Sequence, residues 1–297
     1  GMKFSDVPGS EFMLDAAFVR RSFGRAARTY DEVAVLQAEV RRRLLERLDI
    51  AKIDPAVIVD AGTGTGRGAR DLKRRFKGSQ VVAVDTAWEM LDEARRHRGV
   101  LRRFARVCGD VMQLPLRDRA ADLVFSNLML QWCNDPDAAF AEIRRSLRPG
   151  GLLTFTAFGP DTLAELRKAW AAADAYTHVN RFVDMHDLGD ALLRAGFVEP
   201  VLDVERFTLT YPSLQALVRD LRAMGSRNAT AGRCRGLTGK AARSRMTAAY
   251  ERMRSNDRLP ATFEVVYGQA WSPDREPACA GSQGEFSVPL DRIRRRP

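Results

Sequence analysis

The run Val57-Ile58-Val59-Asp60-Ala61-Gly62-Thr63-Gly64-Thr65-Gly66 is the stretch best suited to hold a reactive group. Its short β-branched apolar start reads as a buried strand. It empties into a loop with glycine at every second position, and then into a helix-like segment over 67–76. Glycine accepts positive φ and lets the backbone approach a ligand closely. The free N–H groups and the dipole of the following helix favour anionic or polar ligand groups. The expectation is a nucleotide-type cofactor cradle at the carboxyl end of the first strand of an α/β sheet. The bland alternative is a tight strand-to-helix turn with no ligand.

Further landmarks fall at later strand ends. Val81-Val82-Ala83-Val84-Asp85 reads as a second buried strand ending in a carboxylate, with Thr86 beside it. An acid there can accept hydrogen bonds from both ribose hydroxyls, although a helix N-cap is the common alternative. Val107-Cys108-Gly109-Asp110-Val111 looks like a third strand end, and Asp122-Leu123-Val124-Phe125-Ser126-Asn127 a fourth strand with its loop. Leu147-Arg148-Pro149-Gly150-Gly151 is a turn before a fifth strand. Gly64-x-Gly66-x-x-Ala69 fits the dinucleotide fingerprint loosely. Asp60-x-Gly62-x-Gly64-x-Gly66 resembles the first motif of class I S-adenosylmethionine methyltransferases more closely. That resemblance implies S-adenosylmethionine as cofactor, held by Asp60, Gly62, Thr63, Gly64, Asp85, Thr86, Gly109, Asp110, Val111 and Asn127. It puts Asp110 where the adenine amine is read.

These residues need a scaffold. Strands are expected near 57–60, 80–85, 103–108, 121–126 and 151–158, with helices between them, clearest over 87–98 and 136–148. Strands alternating with helices imply a parallel sheet with right-handed crossovers. Before the cradle, 14–24 and 31–48 carry helical spacing. Val33, Leu36, Val40, Leu44, Leu45 and Leu48 share one stripe of the second segment. A bend is expected between the two, where Tyr30 could face the site. After the fifth strand come helices over 161–173 and 187–195, the latter closed by Gly196. A strand over 201–211, helices over 213–224 and 240–254, and a last strand over 262–271 follow. The fold class expected is therefore α/β: a seven-stranded, Rossmann-like class I methyltransferase sheet, mostly parallel, with an antiparallel last strand and helical lid insertions. By segment, 14–50 covers the cofactor and 51–211 is the core, with an insertion at 159–183. Residues 212–260 form a lid, 261–271 the last strand, and 272–297 an unstructured tail.

Composition narrows the class. Four cysteines, Cys108, Cys133, Cys234 and Cys279, show neither C-x-x-C nor any metal spacing, so no metal is expected and reduced thiols are. No apolar window is long enough for a membrane span, and no secretory leader pattern opens the sequence, so a cytoplasmic location is expected. The net charge is +10, from six lysines and 42 arginines against 38 acids. Such a surface suits nucleic acid, a membrane face or an acidic protein, or is simply solvated. An aromatic-basic RNA platform is absent from the sequence, as is an N-P-P-Y loop after the fourth strand, which disfavours nucleic acid. A nicotinamide oxidoreductase would bind NAD in place of S-adenosylmethionine.

Three rarer motifs sharpen the resemblance. Phe23-Gly24-Arg25-Ala26-Ala27-x-x-Tyr30-Asp31 with Leu36-Gln37, Ser126-Asn127-Leu128-x-Leu130-Gln131-Trp132-Cys133, and His178-x-Asn180-Arg181-Phe182 are similar to the malonyl-[acyl-carrier protein] O-methyltransferases of biotin synthesis, over about 18–271. Other stretches, among them Arg194-Ala195-Gly196-Phe197 and Leu259-Pro260-Ala261-Thr262-Phe263, look similar to a mitochondrial relative that assists complex I assembly and hydroxylates an arginine. The first resemblance implies methylation of the free carboxylate of a malonyl thioester, carried on acyl carrier protein or coenzyme A. A carboxylate with a pKa near 4 is already a nucleophile at neutral pH, so no general base is required. The protein must align the partners and exclude water. The candidates are Arg181 as a fork on the carboxyl plane, with His178, Tyr30 and Gln131 around it. An acidic carrier could dock on lid arginines such as Arg219, Arg222, Arg227, Arg233 and Arg235.

Overall fold

The computed structural model describes residues 13–99, 103–174, 178–180, 182–224, 230 and 239–274. Seven strands form one sheet: β1 Val57–Ala61, β2 Gln80–Asp85, β3 Ala105–Cys108, β4 Ala121–Asn127, β5 Leu147–Phe158, β6 Val198–Tyr211 and β7 Leu259–Trp271. Their spatial order is β3-β2-β1-β4-β5-β7-β6. Pairs up to β5 are parallel, whereas β7 runs antiparallel to both β5 and β6. The apolar runs of β1, β2 and β4 are buried because helices cover both faces of the sheet.

The helices are α1 Ala16–Ala26, α2 Tyr30–Val33, α3 Val35–Ala51, α4 Arg67–Arg75, α5 Trp88–His97, α6 Pro136–Ser146, α7 Ala164–Ala171, α8 Met185–Arg194, α9 Leu214–Ala223 and α10 Lys240–Glu251. Leu36, Val40, Leu44 and Leu48 of α3 are buried against one face, together with Ile58, Leu72 and Leu217. Phe140 and Ile143 of α6 and Leu188 and Leu192 of α8 fill the other face, against Val59, Val124 and Phe155. Arg47 of α3 stacks over the Tyr267 ring at 3.7 Å and pairs with Glu205 at 2.9 Å, which ties α3 to the antiparallel edge.

Three local expectations are corrected. The helix expected over 31–48 is broken at Ala34, whose ψ of 43° leaves the helical region. The break turns Tyr30 and Asp31 toward the glycine loop while the apolar stripe of α3 stays on the sheet. The two late strands begin at Val198 and Leu259, earlier than 201 and 262, because each borrows pairing from the other along twelve registered positions. The third strand begins at Ala105, two residues later than expected. The turn at 148–151 is present as a loop-out. Leu147 pairs with Ala121 and Leu152 with Leu123, and Gly150 takes a φ of 73° between them. Chain segments 159–184 and 212–258 both leave from the edge where β1, β2 and β4 end. The tail from residue 275 lies outside the described residues.

Candidate functional site

The glycine loop is held from both sides. Gly62 and Thr63 N–H groups donate to the Val84 carbonyl at 2.9 and 3.0 Å. Gly62, Gly64 and Gly66 have φ of 76°, 55° and 79°, the left-handed region that glycine tolerates best. A Cβ on Gly62 would lie 2.2 Å from Met129 Cγ, whereas one on Gly64 would meet nothing within 4 Å. Gly64 thus presents bare backbone to open space, which is what a ligand in close approach requires.

Asp85 braces this loop. One carboxylate oxygen accepts from Gly64 N–H at 2.9 Å and the other from Ala87 N–H at 2.9 Å. Burial pushes its carboxyl above the usual range, against those hydrogen bonds. Asp60 is buried below the loop and accepts 2.6 Å from the Thr63 hydroxyl. Burial pushes its pKa up to about 6, with the Thr63 bond and nearby Arg41 opposing. Asp110 is exposed and caps its own turn, accepting from Met112 N–H at 2.9 Å. Asn127 donates to the Gln37 carbonyl at 3.2 Å and accepts from the Thr156 hydroxyl at 2.9 Å. Leu128 beside it holds a φ of 51°, strained for a branched residue.

Two adjoining cavities surround these groups, of about 280 and 260 Å³. Both are lined by Tyr30, Gly62, Gly64 and Asn127. Asp60 and Thr63 line the first, and Asp85, Thr86, Gly109, Asp110 and Val111 the second. All ten residues expected to hold the cofactor therefore border one continuous region. Tyr30 packs above the loop, and burial, with Asp85 and Asp31 adding, holds its hydroxyl firmly protonated.

The expected catalytic set is less tightly grouped. His178 stacks on Trp170 with ring centroids 3.6 Å apart, and its Nε2 lies 2.7 Å from Asp174. It lines a third, smaller cavity rather than the two above. Gln131 lines none of the three cavities. Its amide donates at 2.5 Å to the Leu128 carbonyl within its own turn, and Trp132 takes the cavity face instead. Arg181, Arg227, Arg233 and Arg235 lie outside the described residues, while Arg219 and Arg222 are exposed on α9. Cys108 and Cys133 are free thiols.

Sequence reasoning passed over Gln37 and Arg41 as site residues, and both line the first cavity. The signal was present: Ala34, Gln37, Ala38 and Arg41 interleave with the apolar stripe of α3 at helical spacing. A second omission is the grouping of Asp31 with Thr65, Arg67 and His97. These residues are far apart in the chain, so no local pattern announces them.

The residues fit an adenosyl cofactor: open backbone at Gly64, a carboxylate at the end of β2, and a wide space between. A methyltransferase-domain family matches residues 59–155. A malonyl-[acyl-carrier protein] O-methyltransferase of Laribacter hongkongensis is 54% identical over 274 residues, 90% of this chain and 92% of the relative. Proteins of the same name from Methylovorus sp. and Halorhodospira halophila are 51% and 47% identical, over 88% and 97% of this chain and 90% and 99% of their own. Among solved structures, a Bacillus halodurans protein that bears the name methyltransferase aligns with a TM-score of 0.55 at 20% identity, covering 77% of this chain and 98% of that one. A Haemonchus contortus phosphoethanolamine N-methyltransferase, solved with S-adenosylhomocysteine, aligns at 0.51 and 18% identity, over 86% of this chain and 59% of that one. At such identities the structures speak for the fold alone; the sequence relatives speak for more. The chain has the class I methyltransferase fold and belongs to the malonyl-[acyl-carrier protein] O-methyltransferase family.

Proposed function

We propose that the chain methylates the free carboxylate of a malonyl thioester, borne by acyl carrier protein or by coenzyme A, to give the methyl ester that primes pimeloyl synthesis for biotin. The observation that supports it most is the continuous region around Tyr30, Gly62, Gly64 and Asn127 in a chain of this family. Held by the residues around Gly64 and Asp85, S-adenosylmethionine would supply a sulfonium methyl group to the already ionised carboxylate, the electron pair of the broken carbon–sulfur bond going to sulfur, so that the chain's residues need move no proton.

The chain's residues hold and align. Asp85 and the Gly64 backbone take the ribose, and Asp110 and Val111 the adenine. Tyr30, protonated, offers a neutral donor that orients a carboxylate without quenching its charge. Arg181 is the proposed fork on the carboxyl plane, with His178 at the rim of the smaller cavity. Helices α1 and α2 cover the cofactor, and the insertions at 159–183 and 212–260 act as the lid, so that water is excluded during transfer. Exposed arginines such as Arg219 and Arg222 offer a face to an acidic carrier. Among the described residues no helix is long and apolar enough to cross a membrane, and the free thiols suit a cytoplasmic setting.

The test is incubation with S-adenosylmethionine and malonyl-[acyl-carrier protein], followed by intact mass of the carrier. A gain of one methylene, absent without enzyme and strongly reduced in Tyr30→Phe and Arg181→Ala, supports the reading. Bound cofactor with no mass change overturns it and favours a role like that of the complex I assembly relative.

A further inference from the structure

We propose that Gln37 is a substrate-positioning residue whose side-chain amide donates to the acceptor carboxylate at the mouth of a small apolar cavity, and that this cavity restricts the acyl group to a short diacid. This rests on the reaction proposed above and adds the group that meets its acceptor.

Gln37 is 7% exposed, yet its Oε1 has no hydrogen-bond partner. Its Nε2 faces the Met224 sulfur at 3.0 Å. A thioether is a weak acceptor, so neither half of this buried amide has a strong partner. The unpaired Oε1 is an acceptor and cannot itself meet a carboxylate; the donor Nε2, held only by the thioether, is the atom that a stronger acceptor would draw away. The backbone around it is fixed, because the Gln37 carbonyl accepts from Asn127 Nδ2 at 3.2 Å.

The position of the amide names the ligand. Gln37 lines one lobe of the cofactor region and also a separate cavity of about 60 Å³. Trp132 lines the other lobe and the same small cavity. A methyl donor on one side and its acceptor on the other must meet at this partition. The rest of the small cavity is largely apolar, with Phe158, Leu166, Val179, Leu221, Met224 and Phe263. A water-sized group needs about 10–15 Å³, so a space of about 60 Å³ holds only a handful of heavy atoms, the scale of a short acyl group and not of a long chain. A carboxylate entering it needs a donor, and a neutral amide provides one while leaving the oxygen nucleophilic. His178 is less free for this, since its Nε2 already faces Asp174.

The experiment compares the wild-type chain with Gln37→Met and Met224→Ala, using malonyl and succinyl coenzyme A thioesters, alongside calorimetry with S-adenosylhomocysteine. Gln37→Met keeps the side-chain length and removes the amide. It should raise the Michaelis constant for malonyl thioester about tenfold or more, the scale of a lost hydrogen bond to a charged group. The dissociation constant for S-adenosylhomocysteine should change less than about twofold, since the amide is assigned to the acceptor and not the cofactor. Met224→Ala enlarges the cavity and should shift preference toward the succinyl thioester about tenfold, a change that general destabilisation would not produce. An unchanged Michaelis constant in Gln37→Met, or a parallel loss of S-adenosylhomocysteine binding, overturns the role of Gln37. If Gln37→Met does not fold, Met224→Ala decides: an unshifted chain-length preference overturns the proposal. A wild-type chain that makes no ester while binding S-adenosylhomocysteine removes the reaction itself, and the positioning role with it. A wild-type chain that makes ester with unresponsive variants removes the positioning role alone.

Discussion

The Asp31 carboxylate accepts a 2.7 Å hydrogen bond from the Thr65 hydroxyl, joining the N-terminal helices to the glycine loop. Its second oxygen takes Arg67 Nε at 2.9 Å and lies 3.0 Å from His97 Nε2. One side chain therefore clasps α2, the start of α4 and the end of α5. Asp31→Ala should weaken S-adenosylhomocysteine binding several-fold and speed limited proteolysis within 13–34. Equal proteolysis rates for variant and wild type would show that the clasp does not hold the cover.

The same carboxylate gives a pH signature. Burial works against its ionisation, but the Thr65, Arg67 and His97 hydrogen bonds outweigh it and hold the Asp31 pKa below its ordinary value. A depressed acid stabilises the fold above the unfolded-state value, about 4, and that contribution is lost as pH falls through the lower folded-state value. Wild type should exceed Asp31→Ala in melting temperature at pH 6–7, with the gap closing below about pH 4. A gap that is constant down to low pH would contradict this.

Asp60 should behave in the opposite sense. Its folded pKa of about 6 lies above the unfolded value, so the native state binds the extra proton. Its contribution makes stability fall as pH rises from about 4 to about 6, and the cost persists above that window. Thermal melts of the unliganded protein across this range should show that downward component, and Asp60→Asn should lack it. Parallel curves for the two proteins would refute the assignment.

Two glycines of one loop should fail differently. A Cβ at Gly62 collides with Met129, so Gly62→Ala should lower the melting temperature strongly as Met129 is displaced. A Cβ at Gly64 enters open space, so Gly64→Ala should cost only the strain of positive φ, about 1–2 kcal/mol, while cofactor binding falls at least tenfold. Thermal melts read against S-adenosylhomocysteine calorimetry separate the two. Intact binding in Gly64→Ala would remove that backbone from the cofactor site.

Carrier docking can be tested at described positions. Arg219→Glu with Arg222→Glu, both exposed on α9, should raise the Michaelis constant for the carrier-bound substrate, and more so at low salt. The coenzyme A form should be unaffected. Equal effects on both substrates would move the docking face elsewhere.

Much of this molecule was legible in local pattern. Val57 to Gly66 announced strand, loop and helix because apolar runs and positive-φ glycines are local requirements. Asp85 closes β2 and Asp110 follows β3 by two residues, and both line one cavity because strand ends at one sheet edge converge in a parallel α/β arrangement. The seven strands, and the antiparallel pairing of the last two, also followed from spacing and turn residues. Tertiary structure alone decided that β7 inserts between β5 and β6, since strand order depends on contacts across more than a hundred residues. It alone broke the helix at Ala34, where the Asp31 carboxylate just before the break accepts from Thr65 and Arg67, partners more than thirty residues on that no local pattern supplies. It turned Gln131 into its own loop and gave the cavity face to Trp132, a choice of rotamer and packing that periodicity does not encode. And it placed Gln37 at the wall between two cavities, because a helix stripe specifies which residues point inward but not what space they meet there.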